Sequence, residues 1–243
     1  MTLHKTPERR GRRLGTGLAL LAAATGSLAA EPVFFGPTAY LSAADIPVGF
    51  YAGGSPNLLD TLEDGSLHAS LAGSDGSVLT GRGPSGVDSV DADDGAIDGS
   101  CATAAPLLCR SWFFGDGNKG VRFSYQGNGP LPTAFGLVWT DGVGTISFSA
   151  TGSDGQNLGS FTATGFADGS FGGTTGEDRF FGVQFAGGIR SIHISNSAGG
   201  IEVDHIQYGQ RAPVPEPAAW ALMTAGLLGI AARRRLATTG RRS

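Results

Sequence analysis

Three consecutive stretches decide the fold class: Phe135-Gly136-Leu137-Val138-Trp139-Thr140, then Asp141-Gly142-Val143-Gly144, then Thr145-Ile146-Ser147-Phe148-Ser149. The outer two have strand length and strand patterning, and the glycine-rich piece between them reads as a turn. The same pattern spreads outward in both directions. Val121-Arg122-Phe123-Ser124-Tyr125 and the segments 180–185, 189–195 and 201–208 are further strand candidates, and no convincing helix occurs between Glu31 and Gln210. Glycine makes up 41 of 243 residues, about twice ordinary usage, and it gathers with Asp, Asn and Ser between the apolar runs. Short strands separated by tight turns predict an all-β protein. The expected architecture over residues 30–210 is a single β-sandwich, jelly-roll-like and of the carbohydrate-binding-module type.

Both ends of the chain differ from this body. Lys5, Arg9, Arg10, Arg12 and Arg13 precede an apolar run over 14–28, and Ser27-Leu28-Ala29 offers a small-x-small cleavage site. That order is a secretory signal peptide over residues 1–29 and implies passage through the secretion machinery. Residues 211–243 hold Val214-Pro215-Glu216-Pro217, an uncharged apolar run over 218–232, and Arg233-Arg234-Arg235 at the start of a basic tail. As a single helix the run would measure about 22 Å, against a hydrocarbon core of about 30 Å. It is a segment that enters a membrane transiently rather than a good permanent anchor. Pro215 and Pro217 hold the residues before them extended, leaving an accessible strip for a processing enzyme. The arginines stay cytoplasmic under the positive-inside rule, so the body lies across the membrane.

Val214-Pro215-Glu216-Pro217, the hydrophobic segment and the arginine cluster together resemble the PEP-CTERM sorting signal of Gram-negative bacteria. The resemblance implies that an exosortase in the inner membrane recognises the motif, removes the tail and passes the protein to the cell envelope, cell surface or extracellular matrix. Leu137-Val138-Trp139-Thr140-Asp141-Gly142, Glu177-Asp178-Arg179-Phe180-Phe181-Gly182-Val183 and the stretch 200–209 are similar to segments of exported PEP-CTERM proteins of unassigned function. That second likeness implies an architecture and no activity.

Subtracting the signals changes the electrostatics. Of the 17 basic residues, five precede position 14 and five follow position 232; the seven that remain face 20 of the 21 acids, a net charge of −13 for residues 30–232. An acidic body without a basic stripe argues against nucleic acid or anionic lipid as a ligand and suits cations, neutral glycans or solubility. Cys101 and Cys109 are the only cysteines, and in an exported chain they predict a disulfide. Closing so short a loop stabilises by roughly 2.6 kcal/mol, enough to pin a loop but not to define a fold.

Structural calcium is the candidate cofactor. Asp91, Asp93 and Asp94 fall in the densest acidic cluster, 88–99, where Gly95 and Gly99 allow turns; the pattern departs from an EF-hand loop, and a solvated acidic loop is the alternative. A second set joins the ends of the body: Glu63 and Asp64 early, and Asp204 on the last strand, where alternation places it on one face with Glu202. Calcium-stabilised jelly rolls of the carbohydrate-binding type often place a structural ion between such positions; acids that merely accept loop hydrogen bonds are the alternative.

The sequence carries no G-x-S-x-G elbow, H-E-x-x-H or phosphate loop, and His68, His193 and His205 each stand alone on strand-like patterns. The body is therefore expected to be non-catalytic. Trp112, beside the loop Gly115-Asp116-Gly117-Asn118, is the aromatic expected to be exposed as a contact for extracellular polysaccharide, whereas Trp139 reads as core. A polysaccharide hydrolase or lyase using paired carboxylates, and a purely structural envelope protein, are the competing readings.

Overall fold

The computed structural model describes residues 31–80, 111–167, 176–212, 223–228 and 230. Ten strands dominate: β1 (Val33–Ala39), β2 (Leu58–Asp60), β3 (Leu71–Ser74), β4 (Gly76–Thr80), β5 (Ser111–Asp116), β6 (Val121–Tyr125), β7 (Ala134–Gly152), β8 (Asn157–Ala163), β9 (Arg179–Gln184) and β10 (Ile189–Gly209). They form one large antiparallel sheet, running β1-β9-β7-β10-β5-β4 with β2, β6 and β3, and β8 as branches. Two 3-10 turns, Ala43–Asp45 and Ala52–Gly54, are the helical pieces of the body among the described residues.

The long strands β7 and β10 form the frame. Their ladder runs from Ile189 opposite Gly152 to Gly209 opposite Ala134. The stretches read as separate strands, 135–140 with 145–149 and 189–195 with 201–208, are thus joined in two continuous elements. Nineteen and 21 residues rising about 3.3 Å each are far longer than an ordinary strand, and both bend where glycine permits. Gly144 (φ 91°) and Gly199 (φ 70°) hold conformations that favour glycine, and the register slips between Asn196 and Ile201. On one side of this bend β7 and β10 recruit β8, and β6 with β3. On the other they recruit β9 with β1, β5 with β4, and β2.

The bend folds the sheet over a common core, giving a sandwich-like body. Phe135, Leu137, Trp139, Phe181 and Val183 from one half pack in one cluster with Phe123, Phe148, Ile192 and Ile194 from the other. Each such side chain, fully buried, stabilises by about 1.5–3 kcal/mol relative to exposure. The first seven residues of β7 are buried without a break, because a second cluster covers the other face. Ala134, Val138 and Phe180 pack there against Tyr40, Phe50 and Tyr51. Gln184 fixes this cover by donating its side-chain N–H groups to the carbonyls of Gly49 and Phe50 at 2.9 and 2.7 Å. A strand buried on both faces reads as a continuous apolar run rather than an alternation, which explains Leu137-Val138-Trp139.

Within the apolar tail, residues 223–228 and 230 are helical. Among the described residues no helix is long and apolar enough to cross a membrane. The signal peptide, Asp91, Asp93, Asp94, Cys101, Cys109, Val214, Pro215, Glu216, Pro217, Arg233, Arg234 and Arg235 lie outside the described residues.

Candidate functional site

At the bend, three adjacent strands bring together side chains far apart in sequence. Glu202 of β10 lies opposite Phe114 of β5 on one side and opposite Asp141 of β7 on the other. These residues, with Gly142 and Gly200, line a cavity of about 240 Å³. Glycine keeps the wall open: a Cβ at Gly200 would stand 2.6 Å from Phe114 Cε2. Phe114 is 38% exposed, so one ring borders the mouth while the carboxylates sit within.

Directly opposed residues of an antiparallel pair hold their Cβ atoms about 4.5–5.5 Å apart, close enough for like charges to repel. The Glu202 carboxyl is accordingly pushed up to about 7. Burial is the largest cause, the negative charge of Asp141 is the second, and a donor contact from Trp112 opposes both. The Trp112 indole nitrogen is buried and meets no acceptor at close hydrogen-bond geometry, so Glu202 is held by a long contact rather than a tight one. At neutral pH the Glu202 carboxyl is divided between its acid form, which donates a hydrogen bond, and its carboxylate, which only accepts.

Trp112 itself requires a correction. It is 9% exposed and does not line the cavity. Strand alternation puts Phe114 on the same face two residues on, and Phe113 points into the main core. Trp112 is therefore covered beside the site, its indole near Glu202 without a formed hydrogen bond, and Phe114 is the exposed ring. Trp139 is fully buried, as expected.

The acids expected to bind calcium in the body serve other partners. Asp64 Oδ1 accepts the Ser66 backbone N–H and hydroxyl, both at 2.9 Å, closing the turn after β2. Asp204 is buried; its Oδ1 accepts the His205 N–H at 2.6 Å and its Oδ2 approaches His205 Nδ1 at 3.2 Å. Between them lies Asp60, whose two oxygens accept the backbone N–H groups of Leu62 and His68 at 3.2 and 2.7 Å. Its carboxyl is raised, chiefly by burial, against the pull of those two donors, and the charges of Asp204 and Asp64 add to the rise. Among the described residues no three His, Cys, Asp or Glu side chains gather as a metal-binding group, so Glu63, Asp64 and Asp204 do not form one. Asp60 and Asp141 had no signal in the sequence beyond being acids next to a strand end and a glycine.

The remaining polar candidates hold the scaffold. Arg179 donates to the carbonyls of Gly176 and Asp178 and lies 4.8 Å over the Phe166 ring, fixing the entry to β9. His193 Nε2 meets the Lys119 carbonyl at 2.9 Å, and His68 Nδ1 meets Ser70 Oγ at 2.7 Å.

A family model described as the PEP-CTERM protein-sorting motif matches residues 213–235. The match covers the proline-rich strip, the apolar run and the three arginines. The chain thus carries a PEP-CTERM sorting motif, which implies an exported, envelope-associated bacterial protein processed by an exosortase. No curated protein and no solved structure matches the chain.

Proposed function

We propose that this chain is a cell-envelope or extracellular-matrix protein of a Gram-negative bacterium whose jelly-roll-like body binds extracellular polysaccharide without turning it over. The observation that carries the reading is the exposed Phe114 ring beside the Asp141 and Glu202 carboxyls in one small cavity. The C–H face of a sugar ring packs on an aromatic while its hydroxyls bond to neighbouring carboxyl groups. At about 240 Å³ the cavity lies below the usual range of about 300–1,000 Å³ for small-molecule sites, which suits a single sugar unit of a longer chain. The acidic charge of the body favours a neutral glycan.

A glycan array probed with the full-length protein tests this directly. Phe114→Ala should lower retention about tenfold, since aromatic contact contributes about 0.5–1.5 kcal/mol beyond the area it covers. Undiminished retention by that variant would move the binding site elsewhere.

The polysaccharide hydrolase stays as a second reading because of one feature: Glu202, near 7, faces a carboxylate on the adjacent strand. A protonated acid beside an ionised one is the pairing used for glycoside cleavage. Incubation with a polysaccharide panel distinguishes the two. Binding without product is expected; product release that disappears in Glu202→Gln would replace the binding reading with the hydrolytic one.

A further inference from the structure

The other end of the same strand carries a different surface. The end of β10 is joined to the loop over residues 41–55: Ala52 N–H donates to the Gln210 carbonyl at 2.6 Å, and Asn57 N–H to the Tyr208 carbonyl at 2.8 Å. This loop exposes apolar side chains. Val48 is completely exposed and Leu41 half exposed, and Ala43, Ala44 and Ala52 are exposed beside them. From Leu41 to Leu59 the only charged residue is Asp45. Its carboxylate is turned inward onto the backbone N–H groups of Leu41 and Ser42 at 2.8 and 3.0 Å. The rest of the body is strongly acidic, so an apolar loop with a single charge marks a contact surface.

Chain length says what it contacts. The described body ends at Ala212 and the apolar run begins at Ala218, six residues that reach at most about 20 Å. The run, about 22 Å as a helix, falls short of a hydrocarbon core of about 30 Å. A span shorter than the core is accommodated by local thinning of the bilayer and by its flanking residues, which stay at the interface. The face of the body from which the tail leaves is therefore held within about 20 Å of the lipid surface, and the loop over 41–55, bonded to the end of β10, is on that face. We infer that Leu41 and Val48 dock the body on the membrane that holds the uncleaved sorting tail, by burying apolar side chains at the lipid interface. The inference rests on the sorting reading of the tail.

Photo-crosslinking in the full-length chain tests it. A photoreactive residue replaces Val48, or Asn118 at the bend as a comparison, and each protein is reconstituted in vesicles of phosphatidylethanolamine and phosphatidylglycerol. Both positions are exposed, so folding is undisturbed. Lipid adducts at position 48 several-fold above those at position 118 are expected. Adducts to the chain's own tail, to a second copy, or none above the comparison site would overturn the inference. Flotation of the same samples separates the two levels: a chain that floats without lipid adducts at position 48 sinks the docking alone, whereas a chain that does not float with the vesicles sinks the sorting reading as well.

Discussion

The second half of β10 begins in an acidic hollow and ends beside an apolar projection. At Glu202 it is flanked by Asp141 and Phe114 around a cavity; at Gly209 and Gln210 it meets a loop with a single charge and a fully exposed valine. Seven residues separate Glu202 from Gly209, roughly 23 Å along an extended strand. One end gathers carboxyls around a cavity, the other exposes apolar side chains. The difference shows how a single ladder can hold the cavity away from the end that carries the tail. The distance is less than full extension allows, because His205 (φ 48°) and a register slip between Asp204 and Gln207 interrupt the strand.

If one ladder supports both ends, a defect in its core should undo both. Trp139 lies opposite Val203 and Arg179, fully buried in the main core. Trp139→Ala should cost about 3–5 kcal/mol, and the melting temperature should fall by roughly 10 °C for a body of this size. Cleft and loop should lose structure in one transition. Two separate transitions, followed by hydrogen exchange at β5 and at the 41–55 loop, would show that the ends are independent units.

A smaller effect concerns the acidic end only. The folded Glu202 carboxyl, near 7, lies above its ordinary 4.5, so between those values the folded protein binds more protons than the unfolded chain. Stability should therefore be greatest below about pH 4.5 with respect to this group, and fall as pH rises to about 7, by at most about 3 kcal/mol and less with solvent screening. Glu202→Gln should flatten the curve between pH 5 and 7 and stabilise the protein above pH 7. A residual slope at lower pH is expected from Asp60, which is also raised. Denaturant unfolding across this range checks the sign; an unchanged slope in the variant would mean that Glu202 is not the buried proton holder.

Most of the strand content was legible, and the reason is burial on one face. Val121–Tyr125 alternates buried and half-buried positions along its length, so the sequence pattern and the strand coincide. The edges were harder to read. Strands β2, β3 and β4 are short and largely exposed, and nothing in their composition marks them apart from loops. Gly142 and Gly144 read as a chain break because glycine usually punctuates strands; here they and Gly199 let two strands continue around a corner. The segment from Tyr40 to Tyr51 gave no signal because its three large rings cover the second face of β7 from an irregular backbone. The candidate site was hidden for a related reason: Phe114, Asp141 and Glu202 meet only through pairing between strands remote in sequence, and alternation within β5 could not tell whether Trp112 or Phe114 would be left uncovered.

The gentlest comparison places the same methyl group at each end. At Gly200 the backbone accepts any residue, but a Cβ would press on the Phe114 ring at 2.6 Å and 2.8 Å. That ring is partly exposed and free to swing outward, so Gly200→Ala should change stability little while filling the cavity and reducing glycan retention. At Gly53 the relation is reversed. No atom lies within 4 Å of the added Cβ, but φ is +79°, a conformation that costs an L-residue about 1 kcal/mol. Gly53→Ala should lower stability by about that amount and leave glycan retention as it was. Each variant should then move one readout and leave the other: retention for Gly200→Ala, melting for Gly53→Ala. If both variants lose retention, the cavity and the loop are coupled through β10 and the two ends do not act separately.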